Sequence, residues 1–99
     1  MTDETEVRKA LETVIDPELN LNIVELGLIY GIKSTEKEIE VDITLTSPMC
    51  PAGPQIIGNA EQAVKDLATG KETRINLVWI PPWNPERMTI EAKLKVGLA

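Results

Sequence analysis

Histidine is absent from this 99-residue chain, and cysteine occurs only once, as Cys50. Without histidine, the chain cannot form a Ser-His-Asp triad, a Cys-His nucleophile pair or a histidine-ligated zinc site. A single cysteine excludes an internal disulfide, and it excludes a CxxC redox or zinc site within one chain. Any chemistry must therefore use one thiol, carboxylates or the shape of the surface.

Long apolar runs and basic charge are also scarce. No stretch approaches the ~18 consecutive apolar residues of a membrane span, and the acidic start at Asp3 and Glu4 is unlike the basic start of a signal peptide. Sixteen Asp and Glu against 10 Lys and Arg give a net charge of -6, which disfavours binding to nucleic-acid phosphates. These features predict a cytoplasmic protein that binds neither membranes nor nucleic acids.

Aliphatic residues are plentiful enough for one small domain, predicted to span residues 1–99. Hydrophobic residues make up 42% of the chain, but phenylalanine is absent and the aromatic residues are Trp79, Trp83 and Tyr30. The core is therefore predicted to be mainly aliphatic.

The first half of the chain predicts a helix followed by two strands. The helix is predicted to begin after a cap at Thr2 and to end before Pro17, because the residue before a proline is disfavoured in a helix. We predict an ordered connection without regular structure for residues 18–25. Two alternating segments then predict a hairpin, and the clearer one places Ile39, Val41, Ile43 and Leu45 on one face.

The second half predicts helix, strand, helix. Within the proline-rich run at 47–54, the second helix is predicted to begin at Pro51 or, as an alternative, at Gly53, and it is predicted to end near Gly70. A third strand and a short helix capped by Thr89 follow. A hairpin followed by a strand-helix-strand crossover predicts an α+β fold with a three-stranded mixed sheet, its helices packed mainly on one face.

Cys50 is the first candidate functional residue. It follows the alternating strand and precedes the second helix, so the positive end of the helix dipole is expected to lower the pKa of its thiol. The alternative is that Cys50 is a small buried apolar residue without chemistry, as many free cysteines are.

Asp16 and Glu18, which flank Pro17, are the second candidate. If the fold places these carboxylates beside Cys50, the oxygen and sulfur ligands would suit iron, and their charge would raise the pKa of the thiol. The alternative is that Asp16 forms a turn, the more common role of Asp before Pro.

The third candidate is an apolar ledge formed by Trp79, Pro81, Pro82 and Trp83. Its two prolines make it stiff, and a cis bond at one of them is compatible with the sequence. Tryptophan is enriched in binding hot spots, so Trp79, Pro82 and Trp83 are predicted to dock a partner. Half-buried packing is the alternative.

Taken together, four motifs resemble the SufT-like and PaaD-like family of iron–sulfur cluster assembly factors, and the resemblance extends from about Val7 to Gly97. They are Asp16 to Leu19, Asn22 to Tyr30, Thr44 to Pro51, and Pro81 to Trp83 with Pro85 to Met88.

The resemblance implies the fold of the iron–sulfur cluster assembly superfamily, a cytosolic role in maturing iron–sulfur proteins and a functional cysteine at Cys50. It also implies that Asp16 and Glu18 belong to the same face as the thiol. The candidate site therefore comprises Cys50 as functional thiol and transient metal ligand, supported by Asp16, Glu18, Thr46, Ser47 and Pro51.

Because the chain has one thiol, it is limited in how it can hold an iron–sulfur cluster. A stable iron–sulfur cluster normally needs four thiolates, so any iron or cluster is expected to be held transiently or shared between subunits of a homodimer. We therefore expect an accessory factor, not a catalyst, that works with an assembly scaffold or with client apoproteins. Two alternatives are a PaaD-like factor that helps assemble an aromatic-degradation oxygenase, and a thiol transferase that uses Cys50 without a visible base.

Overall fold

The computed structural model describes residues 3–49 and 51–97. Its helices are α1 (Glu4–Leu11), α2 (Gly53–Leu67) and α3 (Ile90–Lys95), with a single 3-10 turn at Pro85–Arg87. Its strands are β1 (Ile15–Asp16), β2 (Leu21–Asn22), β3 (Ile29–Ser34), β4 (Glu38–Ile43) and β5 (Glu72–Leu77).

The main sheet is the predicted three-stranded mixed sheet, in the order β3-β4-β5. Strands β3 and β4 form an antiparallel hairpin, while β5 runs parallel to β4 after the crossover through α2. The α+β class, the order of the main elements and the mixed sheet are therefore confirmed.

The two faces of β4 differ as its alternating sequence predicts. Ile39, Val41 and Ile43 are fully buried in the core, where α2 packs against β5 and α1 packs against both α2 and β3. On the opposite face, the Asn76 side-chain amide donates hydrogen bonds to Glu40 Oε2 and Asp42 Oδ1, at 2.9 and 3.0 Å. Helices α1 and α2 thus cover one face of the sheet, and a polar network occupies the other.

Helix α1 is shorter than predicted and ends at Leu11. Asp3 is its N-cap, and Asp3 Oδ1 accepts a hydrogen bond from the Glu6 amide at 2.9 Å. The predicted cap, Thr2, lies outside the described residues. Val14 is buried, like Val7 and Leu11, but it lies after the helix, between a turn and β1. The apolar spacing therefore continues beyond the end of the helix.

Residues 18–25 were predicted to lack regular structure, but they contain β2, one strand of a short two-stranded ladder. Strands β1 and β2 pair antiparallel, with Ile15 opposite Asn22 and Asp16 opposite Leu21. Two-residue strands carry too little alternation to be recognised in a sequence. This ladder holds the Asp-Pro-Glu-Leu motif in a tight turn between its two strands.

Helix α2 begins at Gly53, which is the alternative start and not Pro51. Its C-terminal turn leads to Gly70, which has a φ of +89° and so adopts the left-handed conformation expected after a helix. Helix α3 begins as predicted, because Thr89 Oγ1 accepts a hydrogen bond from the Ala92 amide at 3.1 Å.

Candidate functional site

The site is centred on the loop between β4 and α2, which carries the sequence Thr46 to Ala52. Cys50 itself lies outside the described residues, so its predicted role and pKa are not tested here. Its neighbours are described: Met49 and Pro51 are exposed, and Ala52 is buried. The loop therefore reaches the surface on both sides of the cysteine position.

The first turn of α2 adjoins this loop. Ala52 is the N-cap residue, and its methyl side chain cannot accept a hydrogen bond from the backbone N–H groups of that turn. The first turn also contains no acidic residue. The positive end of the helix dipole is therefore left uncompensated by α2 itself, and an anion at this end would be stabilised.

A hollow of about 520 Å³ lies on one side of the loop. The described residues that line it are all uncharged: Leu45, Pro48, Gly53, Pro54, Ile57, Gly58, Leu77 and Trp79. Within α2, Gly58 contributes no side chain, and a Cβ placed there would have no neighbour within 4 Å. The absence of a side chain at Gly58 thus leaves open space in this wall.

A smaller hollow of about 190 Å³ joins the loop to the tryptophan ledge. It is lined by Leu45, Thr46, Ser47, Pro48, Trp79, Pro82 and Trp83. Two of the supporting residues predicted from the sequence, Thr46 and Ser47, therefore share one surface with all three predicted docking residues. Trp79 is 40% exposed and Trp83 is half-buried against the core, so the ledge presents both rings without leaving either fully in solvent.

A third hollow, of about 310 Å³, is lined by residues from the remaining segments of the site. Its lining residues are Leu19, Thr46, Trp83, Pro85, Met88 and Val96, again without a charge. Leu19 comes from the Asp-Pro-Glu-Leu motif, and Thr46 comes from the loop that carries Cys50. Two motifs that lie far apart in the sequence thus meet across this groove.

Asp16 has the turn-forming role that the sequence left as an alternative. Its side chain is buried, and Oδ1 accepts hydrogen bonds from the amides of Glu18 and Leu19, at 2.8 and 3.4 Å. Its carbonyl accepts a further hydrogen bond from the Asn20 amide. Glu18 is exposed, and neither acid lines the three hollows. Asp16 therefore shapes the turn that carries Leu19 to the site.

The tryptophan ledge is tied to the segment that precedes and begins β3. The Trp83 indole N–H donates to the Leu26 carbonyl at 2.7 Å, and the Tyr30 hydroxyl donates to the Pro81 carbonyl at 2.8 Å. The bond between Ile80 and Pro81 is cis. These two hydrogen bonds span more than 50 residues of sequence, so they fix the ledge against the motif from Asn22 to Tyr30.

A close backbone approach completes this attachment. Gly27 has a φ of +77°, and a Cβ at this position would overlap the carbonyl of Arg87. The Arg87 guanidinium lies 4.5 Å from the centroid of the Tyr30 ring, a cation–π contact. The roles of Gly27, Tyr30 and Arg87 were not predicted from the sequence. The available signals were that Gly27 and Tyr30 lie in one motif and that Arg87 lies in another. No local pattern links the two motifs.

Neither a resident metal centre nor a membrane segment is visible in the part of the chain that the structure describes. Over residues 3–49 and 51–97, no group of three or more Asp or Glu side chains is arranged to hold a metal ion. Over the same ranges, no helix has the length and apolar character needed to cross a membrane.

Comparison with known proteins gives consistent matches. The profile of a family described as "Iron-sulfur cluster assembly protein" matches residues 4–77. The chain is 41% identical over 90 residues to the Fe-S protein maturation auxiliary factor YitW of Bacillus subtilis, covering 90% of this chain and 88% of that protein. It is also 41% identical over 87 residues to the Fe-S protein maturation auxiliary factor SufT of Staphylococcus aureus, covering 87% and 99%.

Solved structures also resemble this fold. The crystal structure of a DUF59 domain of unknown function from Bacillus anthracis superposes with a TM-score of 0.89 at 37% sequence identity. The match covers 97% of this chain and 92% of that chain. The structural similarity therefore extends over nearly the whole chain.

Proposed function

Because the chain belongs to the iron–sulfur cluster assembly protein family, we propose that it is an accessory factor in the maturation of iron–sulfur proteins, acting in the cytoplasm as one domain. The names of its relatives from Bacillus subtilis and Staphylococcus aureus support this role. The observation that carries the proposal is the convergence of the loop from Thr46 to Ala52, the tryptophan ledge and Leu19 on neighbouring uncharged hollows.

In this proposal, Cys50 is the functional thiol. It lies two residues before the N-cap of α2, whose first turn lacks both a side-chain cap and an acidic residue. A thiolate near this helix end would be favoured by the dipole, and a thiolate is the form that binds iron. Pro51 occupies the position between the cysteine and the N-cap.

Iron or an iron–sulfur cluster is the cargo of this factor. One thiol supplies one of the four thiolates that a cluster normally takes, so the other ligands come from a client, a scaffold or a second copy of the chain. Asp16 is not a ligand in this proposal, because one of its carboxylate oxygens already accepts two backbone hydrogen bonds in a turn. The cargo is thus handed on and not stored.

Trp79, Pro82 and Trp83 are the docking residues. Their hollows are lined by uncharged side chains in a protein in which 26% of the residues are charged. This contrast favours an apolar contact by the client or scaffold protein beside the thiol, since charged groups would lose hydration there without gaining partners.

The thiol is tested by Cys50→Ser in a strain that lacks the chromosomal gene. We expect the variant to fold like the native protein, as judged by circular dichroism and by the midpoint of urea unfolding, but not to restore the activity of iron–sulfur enzymes. The serine keeps the size of the side chain and removes the soft thiolate ligand. Full restoration by the folded Ser variant would show that the thiol is dispensable and would overturn the proposed mechanism.

Two substitutions of Asp16 distinguish a turn-forming role of this residue from a role as a metal ligand. Asp16→Asn keeps the side-chain oxygen that accepts the Glu18 and Leu19 amides but removes the charge, whereas Asp16→Ala removes the acceptor. We expect the Asn variant to retain maturation activity and the Ala variant to lose stability, by about 1–3 kcal/mol, because two partly buried amides lose their charged hydrogen-bond acceptor. A folded Asn variant that has lost all activity would instead indicate a carboxylate ligand.

The docking role is tested on α2. Gly58→Leu should place a side chain in the 520 Å³ hollow and weaken maturation, since the leucine then occupies part of the space that a partner would use. Asn59→Leu is the matched control, because Asn59 is exposed on the same helix and does not line the hollow. Equal activity of the two folded variants would contradict docking at this hollow.

A further inference from the structure

The loop between β4 and α2 exposes an oxidisable sulfur at Met49, the residue before Cys50 in the sequence. Met49 is 86% exposed, whereas Met88 is only 6% exposed. The Met49 amide donates a hydrogen bond to Ser47 Oγ at 3.1 Å, in a short turn that contains Pro48. This turn presents the Met49 side chain to solvent.

We propose that Met49 is a site of reversible oxidation by hydroperoxides, and that its sulfoxide lowers the activity of the neighbouring thiol loop. The effect on activity rests on the proposed maturation role, while the oxidation itself does not. The argument uses the high exposure of Met49, its turn geometry and its position next to Cys50 in the sequence.

The oxidation of Met49 needs only hydrogen peroxide and no second group of the protein. A lone pair of the Met49 sulfur attacks one oxygen of hydrogen peroxide, the O–O bond breaks, and a sulfoxide and one water molecule form. The sulfur is oxidised by two electrons and the peroxide is reduced. Methionine sulfoxide reductases reverse the reaction, while a small thiol reductant such as dithiothreitol restores reversibly oxidised cysteine and leaves the sulfoxide in place.

The sulfoxide changes the character of the loop. A flexible apolar thioether becomes a polar, chiral group. Pro48, the residue before Met49, lines both the 520 Å³ and the 190 Å³ hollows. A polar sulfoxide on the residue next to this lining adds hydration that an apolar partner must remove, so oxidation is expected to weaken docking. Because Met49 is 86% exposed, its oxidation is not expected to unfold the core.

Met49 and Met88 provide an internal comparison for the chemical part of the proposal. The full chain is treated with hydrogen peroxide, quenched, and mapped by peptide mass spectrometry over time. We expect Met49 to gain oxygen at least about tenfold faster than Met88, since exposure controls the reaction of methionine with peroxide. Equal rates would overturn the proposal whatever the function of the protein.

Activity then tests the regulatory part. Oxidised protein is incubated with dithiothreitol alone, or with dithiothreitol and methionine sulfoxide reductases, and then used to mature an iron–sulfur apoenzyme. We expect recovery only with the reductases, and we expect Met49→Leu to keep its own untreated activity after peroxide and dithiothreitol. Full recovery with dithiothreitol alone would overturn regulation at Met49. If untreated protein fails to mature any client, the proposed function fails instead, while the rate comparison still decides the oxidation site.

Discussion

Replacing Gly58 by alanine should stabilise the protein, although glycine is the native residue. Gly58 is the sixth residue of the 15-residue helix α2, is exposed, and leaves open space where a Cβ would be. A glycine within a helix costs about 0.5–1 kcal/mol relative to alanine, because the unfolded chain loses more freedom on folding. Since no neighbour would clash with the added methyl group, nothing in the structure offsets this gain.

The expected change is large enough to measure. For a domain of 60–100 residues, 1 kcal/mol shifts Tm by about 4–8 °C, so Gly58→Ala should raise Tm by about 2–8 °C. Urea unfolding followed by circular dichroism gives the free energy of unfolding directly, and an unchanged urea slope would confirm that the unfolding transition is comparable.

Gly70→Ala is the matched control. A Cβ at Gly70 would also have no neighbour within 4 Å, but Gly70 has a φ of +89°. Alanine in this left-handed conformation is strained by about 1–2 kcal/mol, so this variant should be less stable than the native protein. Two glycines with equally open surroundings are thus predicted to respond with opposite signs. A loss of stability in Gly58→Ala would refute the reasoning, and so would a gain in Gly70→Ala.

Three further substitutions test contacts around the site by urea unfolding. Trp83→Phe keeps the apolar ring but leaves the Leu26 carbonyl without its indole donor, and should cost about 1 kcal/mol; no change would mean that water replaces the bond. Gly27→Ala should cost at least about 1–2 kcal/mol, because φ is positive and the methyl group overlaps the Arg87 carbonyl, and native stability would show that this approach relaxes freely. Thr44→Val should add about 1 kcal/mol, because the fully buried Thr44 hydroxyl has no hydrogen-bond partner among residues 3–49 and 51–97; a marked loss would indicate a bound water there.

The main sheet could be predicted from the sequence because its signals are local. The alternation of Ile39, Val41 and Ile43 with acidic residues fixes which face of β4 is buried, and the glycine after α2 marks where the chain turns. The end of α1 could not be predicted, because Val14 continues the apolar spacing of Val7 and Leu11 after the helix has stopped. A side chain is buried when it points toward the core, and a residue outside a helix can do this as well as a residue within one.

The candidate site residues could be named from the sequence, but their arrangement was harder to predict. Thr46, Ser47 and the tryptophan ledge were identified from motifs, and the structure brings them to one surface. The buried turn at Asp16 was only one of two alternatives, because the sequence does not show whether a carboxylate faces a thiol or its own backbone. The contact of Gly27 with Arg87 depends on a separation of 60 residues, and no periodicity reports such a distance.

The attachment of the tryptophan ledge to Leu26 and Tyr30 has a consequence for the newly synthesised chain. Cys50 leaves the ribosome 33 residues before Trp83, as counted along the sequence. Until Trp83 and Pro81 have bonded to these earlier residues, the thiol loop has neither its smaller hollow nor its third groove. The proposed docking surface is therefore available only after Trp83 has been made, and a truncated product would carry Cys50 without this surface.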